Sequence, residues 1–237
     1  MAARALPLPK HLEALRLRPD APASREARAI PTGIADLDEL LPDGGLLRGS
    51  VTELSAAQGL GLGTTIALSV VAAAQAESRN RGGDSAYCAF LDPAATLHGP
   101  GARALGVDLA KLLVVRPPAD ALARTASRIV ASRVFSVVVV DTGGVPGATV
   151  PVSLASWVTV VRRLALAAES GDTAVLLLTR SEAARPLPLP VAMRVELVSP
   201  QRGRLSARIG KERRGLVGGF RSIHLETSDA ASRARTA

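Results

Sequence analysis

A strand-like run that opens into a glycine-rich turn and then a helical run constrains this chain more than any other feature. Residues 51–68 read Val-Thr-Glu-Leu-Ser-Ala-Ala-Gln-Gly-Leu-Gly-Leu-Gly-Thr-Thr-Ile-Ala-Leu. Strand, turn and helix in that order make the layout of a phosphate-binding loop, Gly-x-x-x-x-Gly-Lys-Ser/Thr, whose amides and lysine cradle a nucleotide's phosphates. Two registers fit the layout, and neither supplies the lysine. With Thr64 as the hydroxyl, the lysine position is Gly63 and the glycine positions are Ala57 and Leu62. With Gly61 as the second glycine, the first is Ala56, the lysine is Leu62 and the hydroxyl is Gly63. Neither glycine nor leucine neutralises the charge on β- and γ-phosphates. The expectation is the shape of an ATPase without its chemistry.

Gly59, Gly61, Gly63, Thr64 and Thr65 therefore mark a degenerate nucleotide site. The plain alternative is a glycine turn that binds nothing. The glycine spacing does not fit the Gly-x-Gly-x-x-Gly dinucleotide fingerprint. No cofactor is expected; ATP with magnesium is the one the layout would admit.

The rest of the chain alternates in the same way. Helices are expected at residues 33–41 (Thr32 as N-cap), 64–77, 102–105, 119–132 and 154–169. Strands are expected at 51–55, 86–91, 112–116, 135–141 and 173–179. Val137-Val138-Val139-Val140 and Ala174-Val175-Leu176-Leu177-Leu178 are apolar throughout, the mark of parallel strands buried on both faces. Residues 192–198, 204–209 and 222–225 read as strands without intervening helices, extending the sheet in antiparallel fashion. The fold class is α/β: a mostly parallel central sheet flanked by helices, with antiparallel C-terminal strands. Residues 1–29 read as an arm with a short amphipathic helix (Leu8, Leu12, Leu15) and a linker, 30–226 as one core domain, and 227–237 as a disordered tail.

Composition narrows the function. The 237 residues carry 29 Lys plus Arg against 21 Asp plus Glu, a net charge of +8. Lysine occurs only at Lys10, Lys111 and Lys211. An arginine-rich surface suits nucleic acid or an acidic protein; compositional drift toward arginine is the alternative. Aromatics make up 2%, which argues against a base-stacking platform, so any DNA contact would run to phosphates. Cys88 is alone, so the chain offers no disulfide and no multi-cysteine zinc site. His11, His98 and His224 show no ligand spacing. No signal-peptide pattern and no apolar run of about 18 residues is present, so a cytoplasmic protein with no membrane partner is expected.

Asp141 closes the four-valine strand, where a phosphate-loop protein holds its magnesium-orienting carboxylate; a plain turn into Gly143-Gly144 is the alternative. Residues 87–92 (Tyr-Cys-Ala-Phe-Leu-Asp) and 102–113 (Ala-Arg-Ala-Leu-Gly-Val-Asp-Leu-Ala-Lys-Leu-Leu) resemble the second core strand and following helix of the RecA recombinase family. Thr32-Gly33, Leu37-Asp38, Leu41-Pro42, Gly44-Gly45, Arg48-Gly49 and Thr52-Glu53-Leu54 resemble one branch, the ImuA-type accessory proteins of bacterial translesion synthesis. SulA-type division inhibitors share part of that wording.

The resemblance implies a RecA-like core over roughly residues 30–225. It places a water-polarising glutamate two residues after Asp92, where Ala94 stands, and a polar Asn-Gln sensor near Thr179-Arg180. It puts Lys211 and Arg213 near the cations that RecA filaments present to a neighbour's nucleotide; a solvated hairpin turn is the alternative. It puts DNA loops at residues 143–151 and 181–190, the second holding the stiff run Arg185-Pro186-Leu187-Pro188-Leu189-Pro190.

The implied function is a non-catalytic adaptor in SOS mutagenesis, a pseudo-ATPase. Its implied partners are an ImuB-like inactive polymerase homologue, RecA, and DNA by backbone contacts. Arg202, Arg204, Arg208, Lys211, Arg213, Arg214 and Arg221 are the partner or DNA candidates, with a solvated face as the alternative. A SulA-type division inhibitor and a weak DNA-stimulated ATPase are the competing functions.

Overall fold

The structure, a computed structural model, describes residues 29–56, 62–144, 150, 152–181, 188–201 and 204–225. The expected N-terminal helix and linker, the C-terminal tail, Gly59, Gly61 and Arg202 lie outside the described residues.

The strands are β1 (Ala29–Ile30), β2 (Leu46–Leu47), β3 (Ser50–Ala56), β4 (Cys88–Leu91), β5 (Leu112–Val115), β6 (Val137–Asp141), β7 (Ala174–Arg180), β8 (Met193–Gln201), β9 (Arg204–Glu212) and β10 (Arg221–Ile223). The α-helices are α1 (Ala35–Leu40), α2 (Leu62–Asn80), α3 (Gly99–Ala104), α4 (Leu122–Ala131) and α5 (Val158–Glu169). Eight strands form one sheet in the order β10-β9-β8-β3-β7-β6-β4-β5, and β1 pairs with β2 apart from it. The pairings from β5 through β3 to β8 are all parallel.

The valine run explains the sheet's centre. Every residue of β6 is buried, because helices cover both faces. On one face Leu54, Val137, Val139, Leu176 and Leu178 meet Ile66, Val70 and Val71 of α2. On the other, Val51, Val138, Val140, Val175 and Leu177 meet Leu122, Ala126 and Val130 of α4 and Val161, Leu164 and Ala168 of α5. The helical spacing of those residues gives α4 and α5 one apolar stripe each. Among the described residues, no helix is long and apolar enough to cross a membrane.

Two local expectations need correction. The first helix starts at Ala35, and Thr32 does not cap it. The Thr32 hydroxyl instead accepts the Ile34 N–H at 3.2 Å, while the Thr32 N–H donates to Asp38 Oδ1 at 2.7 Å. Gly33, at φ 77°, turns the chain between them. The second correction is β8, which runs parallel to β3; only β9 and β10 are antiparallel additions. A parallel return normally needs a helical crossover. Here β8 begins opposite Thr52, and the Ala192 N–H already bonds the Val51 carbonyl at 2.9 Å. The return from the end of β7 is therefore short enough for extended chain to make.

Candidate functional site

The parallel strands β3, β4, β6 and β7 deliver their carboxyl ends to one edge of the sheet, where open α/β sheets bind ligands. Ala56 ends β3 there, Asp92 follows β4, Asp141 ends β6 and Arg180 ends β7. Helix α2 starts at Leu62, so Gly63, Thr64 and Thr65 occupy its first turn, all half-buried. Among the described residues, a Cβ on Gly63 would meet nothing within 4 Å.

Asp141 is buried, and its Oδ1 accepts the Gly143 and Gly144 N–H groups, each at 2.9 Å. Burial pushes its carboxyl above the usual range; the two amide hydrogen bonds oppose this, the Asp92 charge adds to it, and Arg180 opposes it. Asp141 thus serves the turn into Gly143-Gly144 through one of its oxygens.

Asp92 is fully buried and committed to its own turn. Its Oδ1 accepts the Thr96 N–H at 2.9 Å and its Oδ2 the Leu97 N–H at 3.0 Å, with Arg116 Nε 3.4 Å away. Pro93 and Ala94 form the turn, closed by Ala95 at φ 55°. Methyl groups therefore stand where the family resemblance puts a glutamate.

The sequence reading did not single out Glu53 in the middle of β3. It is buried; its Oε1 accepts the Thr179 hydroxyl at 2.8 Å and its Oε2 the Arg194 Nε–H at 2.7 Å. Thr179 is thus tied down to the sheet. Lys211 lies beside this group, on β9 opposite Arg194, and its Nζ donates to the Leu189 carbonyl at 2.7 Å. Burial, then the Arg194 charge, lowers its ammonium pKa, with Glu53 opposing. The signal available was a lone carboxylate in an apolar strand together with an arginine at Arg194, both inside strand runs. Buried charges of this kind come paired.

Comparison with known proteins gives the family. The model of the RecA N-terminal domain matches residues 15–154, more than half of the chain. The chain belongs to the RecA N-terminal domain family. The RecA protein of Cutibacterium acnes is 41% identical over 114 residues, 48% of this chain and 30% of that protein. The RecA proteins of Rhodospirillum centenum and Brucella anthropi are 39% identical over 120 residues and 37% over 128; these stretches are 50% and 54% of this chain and 31% and 33% of theirs. The chain spans about a third of the length of the curated relatives it matches.

In this RecA-like chain the basic candidates divide by their partners. Lys211 is half-buried on a strand, so the solvated-turn alternative does not apply to it. Arg208 pairs with Glu196 at 2.6 Å and lies over the Phe220 ring, 4.6 Å from its centroid. Arg214 donates to Asp43 at 2.7 Å and to Glu212 at 2.9 Å. Arg213 and Arg221 are exposed. Arg204 begins β9.

Cys88 is buried, and burial pushes its thiol up to about 12. His98 caps α3 by accepting the Gly101 N–H at 3.1 Å, and His224 contacts Asp36 at 2.6 Å. Among the described residues, no group of His, Cys, Asp and Glu is disposed to hold a metal ion.

Proposed function

We propose that this chain is a non-catalytic RecA-like adaptor of the ImuA type, acting in DNA-damage-induced mutagenesis and translesion synthesis. The observation that carries the non-catalytic half is the turn after β4. Asp92 is spent on backbone amides, and Ala94 follows it with a methyl group that polarises no water. Gly63 at the start of α2 has no side chain to neutralise phosphate charge. The donor set here does not fit a hydrolysing ATP–magnesium site. One oxygen of Asp141 is engaged with amides, and Thr64 and Thr65 bring hydroxyls preceded by Gly63 rather than a lysine.

The adaptor half rests on the sequence wording before the glycine loop and on membership of the RecA family. Its direct partner is an ImuB-like inactive polymerase homologue. RecA and phosphate-contacted DNA are further partners.

The test has two arms. A labelled ATP analogue with magnesium is titrated into the purified chain beside an ATPase assay, and the chain is used to pull down the polymerase homologue. No turnover together with capture of the homologue supports the reading. Turnover that disappears in Asp141→Ala sinks the non-catalytic half, and absence of any complex with the homologue sinks the adaptor half.

A further inference from the structure

The connection between β9 and β10 is an apolar tip set among arginines. Residues 213–221 read Arg-Arg-Gly-Leu-Val-Gly-Gly-Phe-Arg. Leu216 is 51% exposed, Val217 68% and Phe220 45%. Large apolar side chains so exposed and so close together mark interaction surfaces.

The tip is fastened to the sheet at three points. The Gly218 N–H donates to the Ile209 carbonyl at 3.3 Å. Phe220 lies against the Arg208 guanidinium. Arg214 is held by Asp43 and Glu212. An element already ordered loses little conformational freedom when it binds.

Charge selects the partner's chemistry. Arg208 and Arg214 are matched by Glu196, Asp43 and Glu212. Arg213 and Arg221 flank the tip, and among the described residues neither has an ion pair. Two unmatched guanidinium groups beside three apolar side chains complement an apolar cleft rimmed by carboxylates. Phosphate backbone gives Leu216 and Val217 nothing to bind, and aliphatic side chains do not stack on bases as aromatics do. Two unmatched arginines fall short of the clusters of about four to eight basic residues that mark a surface for anionic lipid.

We propose that residues 213–221 dock into a protein partner through an apolar cleft with an acidic rim. The inference rests on the adaptor reading and locates its contact surface. Arginine and aromatic anchors carry most of the affinity at such interfaces.

The test uses the full chain and an immobilised ImuB-like polymerase homologue as the probe. Two double variants are compared with the unmodified chain: Leu216→Ser with Val217→Ser, and Arg213→Glu with Arg221→Glu. All four side chains are exposed, and an unchanged thermal transition verifies the fold. Each double variant is expected to weaken binding by about tenfold or more, and the charge-reversal deficit is expected to shrink as salt rises.

Binding by the unmodified chain with both variants equally tight overturns this inference and leaves the adaptor reading standing. No binding by the unmodified chain overturns the adaptor reading and this inference with it. Variants that keep the protein probe but lose phosphatidylglycerol vesicles or oligothymidine also overturn it, since the tip would then serve lipid or nucleic acid.

Discussion

Arg194 donates its Nε–H to Glu53 Oε2 at 2.7 Å, with only 6% and 5% of the two side chains exposed. The pair joins β8 to β3, and Thr179 brings in β7 through the other carboxylate oxygen. Two strands whose contact residues lie 126 and 141 residues downstream of Glu53 meet β3 on one carboxylate. Removing one partner breaks a buried ion pair, which costs about 3–5 kcal/mol. Arg194→Met and Glu53→Leu should each lower stability by that order in urea unfolding. The double variant should recover much of the loss, because well-packed apolar residues often replace a buried pair at little cost. Additive losses in the double-mutant cycle would show that the two side chains act independently.

Asp141 gives a pH-dependent prediction. Burial raises its folded-state pKa above the unfolded value. Its protonated form therefore favours the fold at low pH, and that contribution is lost as pH rises through the raised folded pKa. Asp141→Asn keeps an oxygen for the Gly143 and Gly144 amides and carries no charge. It should raise the thermal transition at neutral pH, by about 2–4 °C for a gain of about 1 kcal/mol. The gain should fade as pH drops below the folded pKa toward the unfolded one. A gain that persists unchanged in acid would mean that charge burial is not its source.

The sheet and its order of helices were legible because apolar runs such as Val137–Val140 admit few other placements. Asp141 was legible because it closes one of those runs. Three features were hidden for physical reasons. Glu53 finds its partners 126 and 141 residues downstream, so no local spacing reports them. The direction of β8 depends on where the strand re-enters beside Thr52, a tertiary choice that residues 192–198 do not encode on their own. Lys211 looked like part of a turn because Gly210 and the arginines surround it, yet β9 carries it to Glu212.

Gly45 lies where two backbone segments touch. A Cβ there would sit 2.3 Å from the Ile30 carbonyl oxygen and 2.7 Å from its carbon. Backbone cannot yield as a side chain can, so Gly45→Ala must push β1 off β2. The expected loss is about 1–3 kcal/mol, typical of overpacking. Gly44→Ala, one residue earlier, meets no atoms within 4 Å but sits at φ 69°, so its cost is conformational. The two variants should differ in protease sensitivity near Ile30, with Gly45→Ala the more readily cut. Equal sensitivity would mean that the close approach does not hold the β1–β2 pair.

The start of α2 offers the most direct test of why turnover is not expected. Gly63 occupies the lysine position in the Thr64 register, and among the described residues nothing lies within 4 Å of a Cβ there. Gly63→Lys should supply a cation at the carboxyl edge of the sheet. A labelled ATP analogue with magnesium should then bind about tenfold or more tightly, the effect of roughly 1.4 kcal/mol. Turnover should stay absent, since Ala94 still polarises no water and Asp92 still serves its turn. Adding Ala94→Glu places a carboxylate at the position of the missing base, and any hydrolysis should appear only in that double variant. If Gly63→Lys alone hydrolysed ATP, the base would have to come from elsewhere, with Asp141 the first residue to examine. If it left affinity unchanged, the loop would not be a phosphate cradle, and the resemblance at this edge would be one of fold alone.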